Sequence, residues 1–162
     1  SMIGCLGEFP NLVVLRTLSK AWALAGVRCG FVFADPEVIA VLQRLRAPYP
    51  ISSASIAAVE AAFSTAGRDV MERSVAGILA ARTGLLKALG RIAGVGQIFP
   101  TDANFVLVRV KDRPRLSAVL KKAGIVLRDR SFDEGLLDCI RITVGTTEEN
   151  GAVVACFQEA LG

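Results

Sequence analysis

The four residues Ala47-Pro48-Tyr49-Pro50 divide this sequence into two parts that cannot fold alike. Two prolines around one aromatic exclude both helix and central strand and leave an extended connector. Before it, the apolar residues come in short continuous runs. Asn11 to Arg16 (NLVVLR) and Gly30 to Ala34 (GFVFA) read as strands of the kind buried on both faces of a parallel sheet. Asp35 followed by Pro36 supplies an N-cap and a proline at the first helical position, which predicts a helix to about Leu45.

After the connector the periodicity changes. Ser52 to Ala66 is alanine-rich and helical. A longer helix is predicted from Asp69 to Leu89, with Met71, Val75, Ile78, Leu79, Leu85, Leu86 and Leu89 at three- and four-residue spacing. Strands are predicted at Gly94–Phe99, Asn104–Val110, Ile125–Leu127 and Cys139–Val144, with a short helix over Pro114–Ala123. In the second of these strands Val106, Val108 and Val110 face one way, Phe105 and Leu107 the other. The last helix opens on Thr146 and Glu149 at capping-box spacing and buries Val153, Val154, Phe157 and Leu161.

The expected fold class is therefore α/β, in two parts. Residues 1–50 read as the end of a larger, incomplete domain, because two strands and one helix cannot close a doubly wound layer. Residues 51–162 read as a small C-terminal α+β domain with helices packed on a mixed sheet.

Composition removes several function classes. The apolar content of 52% and mean hydropathy of +0.50 are high, yet no run approaches the roughly 18–20 apolar residues of a membrane span. The four cysteines are scattered without a C-x-x-C pair and there is no histidine, so no metal site is expected. Scattered thiols and the lack of a leader-like N-terminus predict a reduced, cytoplasmic protein. The net charge is +4, but the basic residues are dispersed and not interleaved with aromatics. They read as solvated faces, with no nucleic-acid partner.

One stretch carries chemistry: Arg16 to Gly30, RTLSKAWALAGVRCG. It lies at the C-terminal end of a predicted strand, where α/β sheets place their ligands. Within it stand two hydroxyls (Thr17, Ser19), one amine (Lys20) and one guanidinium (Arg28), with Gly26 and Gly30 allowing close backbone approach. Hydroxyls and a guanidinium suit a phosphate, because the arginine fork grips two oxygens at once. A lysine beside that phosphate can form an imine with an aldehyde. A Ser-Lys pair taken alone would read as a surface lysine in a loop.

The whole stretch resembles the active-site segment of fold-type I aminotransferases, a Thr-x-Ser-Lys run followed by L-A-G-x-R-x-G. The succession LRTLSKAWALAGVRCGF, A-P-Y-P, N-F-V-L-V, V-L-R-D-R and C-I-R-I-T-V-G-T is similar to the histidinol-phosphate aminotransferase family, in order, from Asn11 to the last helix. The resemblance implies the C-terminal strands of a large pyridoxal-phosphate-dependent transferase domain followed by the small domain. It implies that Lys20 bonds the cofactor, pyridoxal 5′-phosphate, and moves the proton from the substrate Cα. Thr17, Ser19 and Arg28 would bind the cofactor phosphate. Arg141 would bind carboxylate, Arg128 the substrate phosphate, and Asn104 and Tyr49 would line the substrate site or, for Tyr49, a subunit contact.

The implied reaction transfers an amino group from L-histidinol phosphate to 2-oxoglutarate, giving glutamate, in histidine biosynthesis, by a homodimer. Family members are considerably longer, and the segments that contact the cofactor ring precede the lysine strand. The expectation is accordingly a fragment with little activity alone, whose Leu12, Val14, Phe31 and Phe33 are left unpaired. The alternatives are an aminotransferase or decarboxylase of the same fold acting on another substrate, and a non-catalytic dimerisation module.

Overall fold

The computed structural model describes all residues, Ser1–Gly162. It divides into two compact units, Ser1–Val75 and Ala76–Gly162. The division falls inside a helix beyond the Pro-Tyr-Pro connector, whereas the change of pattern in the sequence places a boundary at residue 50.

The first unit opens with a short 3-10 turn, Met2–Cys5, followed by strand β1 (Val14–Thr17) and strand β2 (Gly30–Phe33). The two strands pair antiparallel, with Val14 opposite Phe33 and Thr17 opposite Gly30. The parallel arrangement read from the apolar runs is thus corrected. Parallel neighbours require a crossover, usually a helix, and the segment between β1 and β2 holds only a 3-10 turn at Ala25–Val27. A Cβ at position 30 would come within 2.8 Å of the Arg16 carbonyl oxygen, so glycine permits this close approach of the strands. Nor are the strands buried on both faces: Leu15 is 72% exposed, and Phe31 and Val32 are also exposed. Of the residues read as unpaired, Leu12, Val14 and Phe33 are half-buried.

Helix α1 (Pro36–Leu45) starts as its sequence predicts, the Asp35 carboxylate accepting the N–H of Glu37 at 2.9 Å with Pro36 at the first position. Helix α2 (Ser53–Phe63) is capped by Ser52, whose hydroxyl accepts from the Ser55 N–H at 3.1 Å. The Ser55 hydroxyl donates to the Val27 carbonyl at 3.2 Å, which ties α2 to the turn before β2. Phe63 stacks on Trp22 at 4.5 Å and meets Phe31 edge-on at 6.0 Å. Helix α3 (Thr65–Leu89) follows and carries the chain into the second unit.

The second unit holds β3 (Val95–Ile98), β4 (Phe105–Val110), α4 (Arg113–Lys122), β5 (Arg128–Asp129), β6 (Cys139–Thr143) and α5 (Thr147–Leu161). Its sheet has the order β3-β4-β6-β5, and each pair is antiparallel, so the mixed sheet expected from the sequence is corrected. The third predicted strand also moves, from Ile125–Leu127 to Arg128–Asp129.

The alternation in β4 is realised as read. Val106, Val108 and Val110 are buried, and across the ladder Val106 faces Ile142 and Val108 faces Ile140. These side chains form one core with Leu85 and Leu89 of α3, Leu116 and Leu120 of α4, and Val153, Phe157 and Leu161 of α5. The capping box closes α5 at its start, with the Glu149 N–H donating to the Thr146 hydroxyl (3.2 Å) and the Thr146 N–H to the Glu149 carboxylate (2.8 Å). Of the four thiols, Cys139 and Cys156 are buried in this unit, whereas Cys5 and Cys29 of the first unit are partly exposed. No helix is long and apolar enough to cross a membrane.

Candidate active site

In the first unit, the end of β1 is pinned by Leu18, only 2% exposed, whose N–H donates to the Cys29 carbonyl and whose own carbonyl accepts from Leu24. With Leu18 turned inward, its neighbours on either side form a hydroxyl pair. Thr17 Oγ1 donates to Ser19 Oγ at 2.9 Å and accepts from the Ser19 N–H at 3.1 Å. Such local hydroxyl-to-backbone bonds rigidify a turn without any helix or ladder. Lys20 follows directly and is exposed. It lines an open depression of about 700 Å³ together with Thr17, Trp22, Phe31, Phe33 and Phe63.

Arg28 occupies the left-handed region at φ 54°, a conformation uncommon outside glycine, and ends the 3-10 turn. Its Nη1 donates to the Ala25 carbonyl at 3.2 Å. The Leu18–Cys29 hydrogen bond sets the hydroxyl pair beside the chain segment that bears Arg28, but the guanidinium folds back on its own turn and does not line the depression. Tyr49 is 97% exposed at φ 51°, outside that depression.

In the second unit, register does what sequence spacing does not reveal. Arg128 of β5 stands directly opposite Arg141 of β6. Both line an open cavity of about 640 Å³ whose rim includes Thr143, Glu149 and Asn150. The Arg141 guanidinium lies over the Phe105 ring at 5.1 Å, and its Nε is buried without a hydrogen-bond partner. Asn150 fixes the corner between β6 and α5, its amide accepting from the Gly145 N–H (3.0 Å) and donating to the Gly145 carbonyl (2.9 Å). Asn104 is exposed and does not line this cavity; its carbonyl accepts the Val144 N–H at 2.9 Å, next to the end of β6. The preceding Ala103 carbonyl is held by Arg82 Nη1 at 2.7 Å.

Sequence reasoning passed over Trp22, Asn150, Arg113 and Asp129. Trp22 lies inside the quoted motif and Asn150 one residue after the capping box, so both carried a local signal. Arg113 and Asp129 carried none, since only the folded chain brings them together at 2.8 Å. The Asp129 carboxyl is held below the ordinary carboxylate value, chiefly by the Ser131 N–H; desolvation opposes this, and the Arg113 guanidinium adds a lesser lowering.

A carboxyl with a depressed folded value contributes stability that is complete above its unfolded value, about pH 4, and is lost as pH falls through the lower folded value. Acid titration followed by amide exchange should therefore show residues 130–138 loosening below about pH 4. Asp129→Asn should flatten that limb. An unchanged acid limb in the variant would mean that this carboxylate does not hold the loop.

The model for the family "Aminotransferase class I and II" matches residues 3–156. This chain belongs to that family, as the resemblance of its five ordered segments implies. It is 46% identical to histidinol-phosphate aminotransferase 2 of Mannheimia succiniciproducens over 160 residues, which is 99% of this chain and 46% of that protein. Among solved structures, it is similar to the histidinol-phosphate aminotransferase of Sinorhizobium meliloti in complex with pyridoxal-5′-phosphate. The TM-score is 0.78 at 29% identity, covering 98% of this chain and 43% of that one. It is also similar to a decarboxylase from Sulfurospirillum multivorans, with a TM-score of 0.86 at 25% identity, covering all of this chain and 47% of the other. The chain thus spans less than half the length of these relatives.

Proposed function

We propose that these residues serve pyridoxal-phosphate-dependent transfer of an amino group from L-histidinol phosphate to 2-oxoglutarate, in the cytoplasm and as a homodimer. The observation that carries the reading is Lys20, an exposed amine immediately after a hydroxyl pair at the end of β1, lining a depression walled by aromatics.

This donor set fits an esterified phosphate joined to an aromatic aldehyde. Ser19 offers a free hydroxyl donor, while Thr17, 2.9 Å away, gives its own hydroxyl hydrogen to Ser19 and would have to turn to reach a phosphate. Arg28 spends one guanidinium N–H on Ala25 and keeps others to give, but it lies outside the depression of Lys20 and reaches a phosphate there only by swinging away from its own turn. When bound, pyridoxal 5′-phosphate supplies the electron sink that makes the substrate Cα–H acidic. Lys20 holds the cofactor and moves the proton at that Cα, as a base tethered next to its target. Arg141 binds a carboxylate and Arg128 the phosphate of the substrate, the two guanidiniums presenting adjacent forks suited to oxyanions. Asn104 and Tyr49 belong to the substrate surroundings in this reading.

Decarboxylation of an amino acid is the second reading, favoured by the likeness to the solved decarboxylase. The two differ in their products: transamination consumes 2-oxoglutarate and decarboxylation releases carbon dioxide.

The lysine assignment is tested by incubating the protein with pyridoxal 5′-phosphate, reducing with borohydride and mapping the labelled peptides. Lys20 should be labelled ahead of Lys87, Lys111, Lys121 and Lys122, and Thr17→Ala with Ser19→Ala should remove that preference. Equal labelling of all five lysines would refute the assignment.

A further inference from the structure

An antiparallel pair with like charges directly opposite is destabilised by their repulsion. Arg128 and Arg141 form such a pair, and β5, which presents Arg128, is a two-residue strand at the sheet edge. Its ladder consists of two residue pairs, Arg128 with Arg141 and Asp129 with Ile140.

Arg113, the first residue of α4, reaches the residues on both sides of the β5–β6 connection. Its Nη1 donates to Asp129 Oδ2 at 2.8 Å, and its Nε lies 3.5 Å from Asp138 Oδ1. Asp129 is the neighbour of Arg128 in β5, and Asp138 immediately precedes β6, the strand of Arg141. One guanidinium thus hydrogen-bonds the end of β5 and stands at ion-pair distance, without a hydrogen bond from its Nε, from the residue before β6. The other Asp129 oxygen accepts the Ser131 N–H at 2.9 Å, and the Asp138 carbonyl accepts the Val110 N–H at 3.0 Å, so each carboxylate residue is anchored a second time. Asp138 itself sits in the left-handed region at φ 57°, a conformation that needs support from its surroundings. Arg109 adds a further tie across the same loop, Nη2 donating to the Gly135 carbonyl at 2.7 Å.

We infer that Arg113 is a positioning residue for anion binding: by clamping Asp129 and Asp138 it sets the register that brings Arg128 opposite Arg141. Arg113 does not line their cavity, so it acts through Arg128 and not on the ligand. This rests on the reading of Arg128 and Arg141 as oxyanion ligands. The planar fork matters, because two carboxylates on different segments are reached from two nitrogens of one rigid group.

The test is a double-mutant cycle on affinity for inorganic phosphate, measured by calorimetry on the protein of this sequence. Arg128→Met should weaken phosphate binding, and Arg113→Met should weaken it by about tenfold, each good charge-assisted contact being worth about that factor. In the Arg128→Met background, Arg113→Met should have no further effect. Arg113→Lys, which keeps charge but not the fork, should recover only part of the affinity. If Arg113→Met does not fold, Asp138→Asn, which opens one side of the clamp, is expected to give a smaller loss that again vanishes without Arg128.

Phosphate affinity unchanged in Arg113→Met or Asp138→Asn would overturn the inference, as would equal losses with and without Arg128. Failure of the unmodified protein to bind phosphate, or phosphate binding undiminished in both Arg128→Met and Arg141→Met, would instead refute the oxyanion site and this inference with it.

Discussion

Replacing Lys20 by alanine is expected, on the proposed reading, to slow whatever amino-group transfer this chain supports by about 10²–10⁴-fold, the usual worth of a positioned proton-transfer group. The fold should survive. Lys20 is exposed and stands outside the core, so stability should stay within about 0.5 kcal/mol of the original. Turnover and thermal melting measured together separate the two effects. A variant that transfers amino groups at the original rate would remove Lys20 from the mechanism; one that melts early would show that it props up the loop.

The second large effect is structural. Phe157 is fully buried at the centre of the second unit, packed among Val106, Ile142, Leu89 and Leu116 in one core. Truncation to alanine leaves a cavity and should cost about 3–5 kcal/mol, a large share of the roughly 5–15 kcal/mol that a domain possesses. Phe132→Ala is the control. That ring is 91% exposed, so its loss should fall within about 0.5 kcal/mol. Equal denaturation midpoints for the two variants would contradict the burial described for α5.

Much of this architecture was legible because its signals are local. The Asp35-Pro36 and Thr146–Glu149 caps, the alternation along β4 and the apolar stripe on α3 each lie within a few residues, and each marks a real element. Strand direction was not legible, since an apolar run such as NLVVLR records burial tendency and says nothing of which way its partner runs. The edge strand was misplaced because Ile125 and Leu127 are the apolar residues of that segment, while the ladder forms at Arg128 and Asp129.

The candidate site divides the same way. Thr17, Ser19 and Lys20 are consecutive enough to be read as one feature. Arg128 and Arg141 could be named singly, but their apposition is a matter of register. Arg113 could not be found at all, because its partners lie in other elements and become neighbours only when the sheet closes.

The placement of the thiols has a practical consequence for following the folding of this chain. Cys5 and Cys29 are partly exposed, whereas Cys139 and Cys156 are buried in the second unit. A thiol-specific dye should therefore react in two kinetic phases, the slower one gated by opening of the second unit alone. The chain comes with its own reporter on the opening of the second unit, readable without any engineered probe.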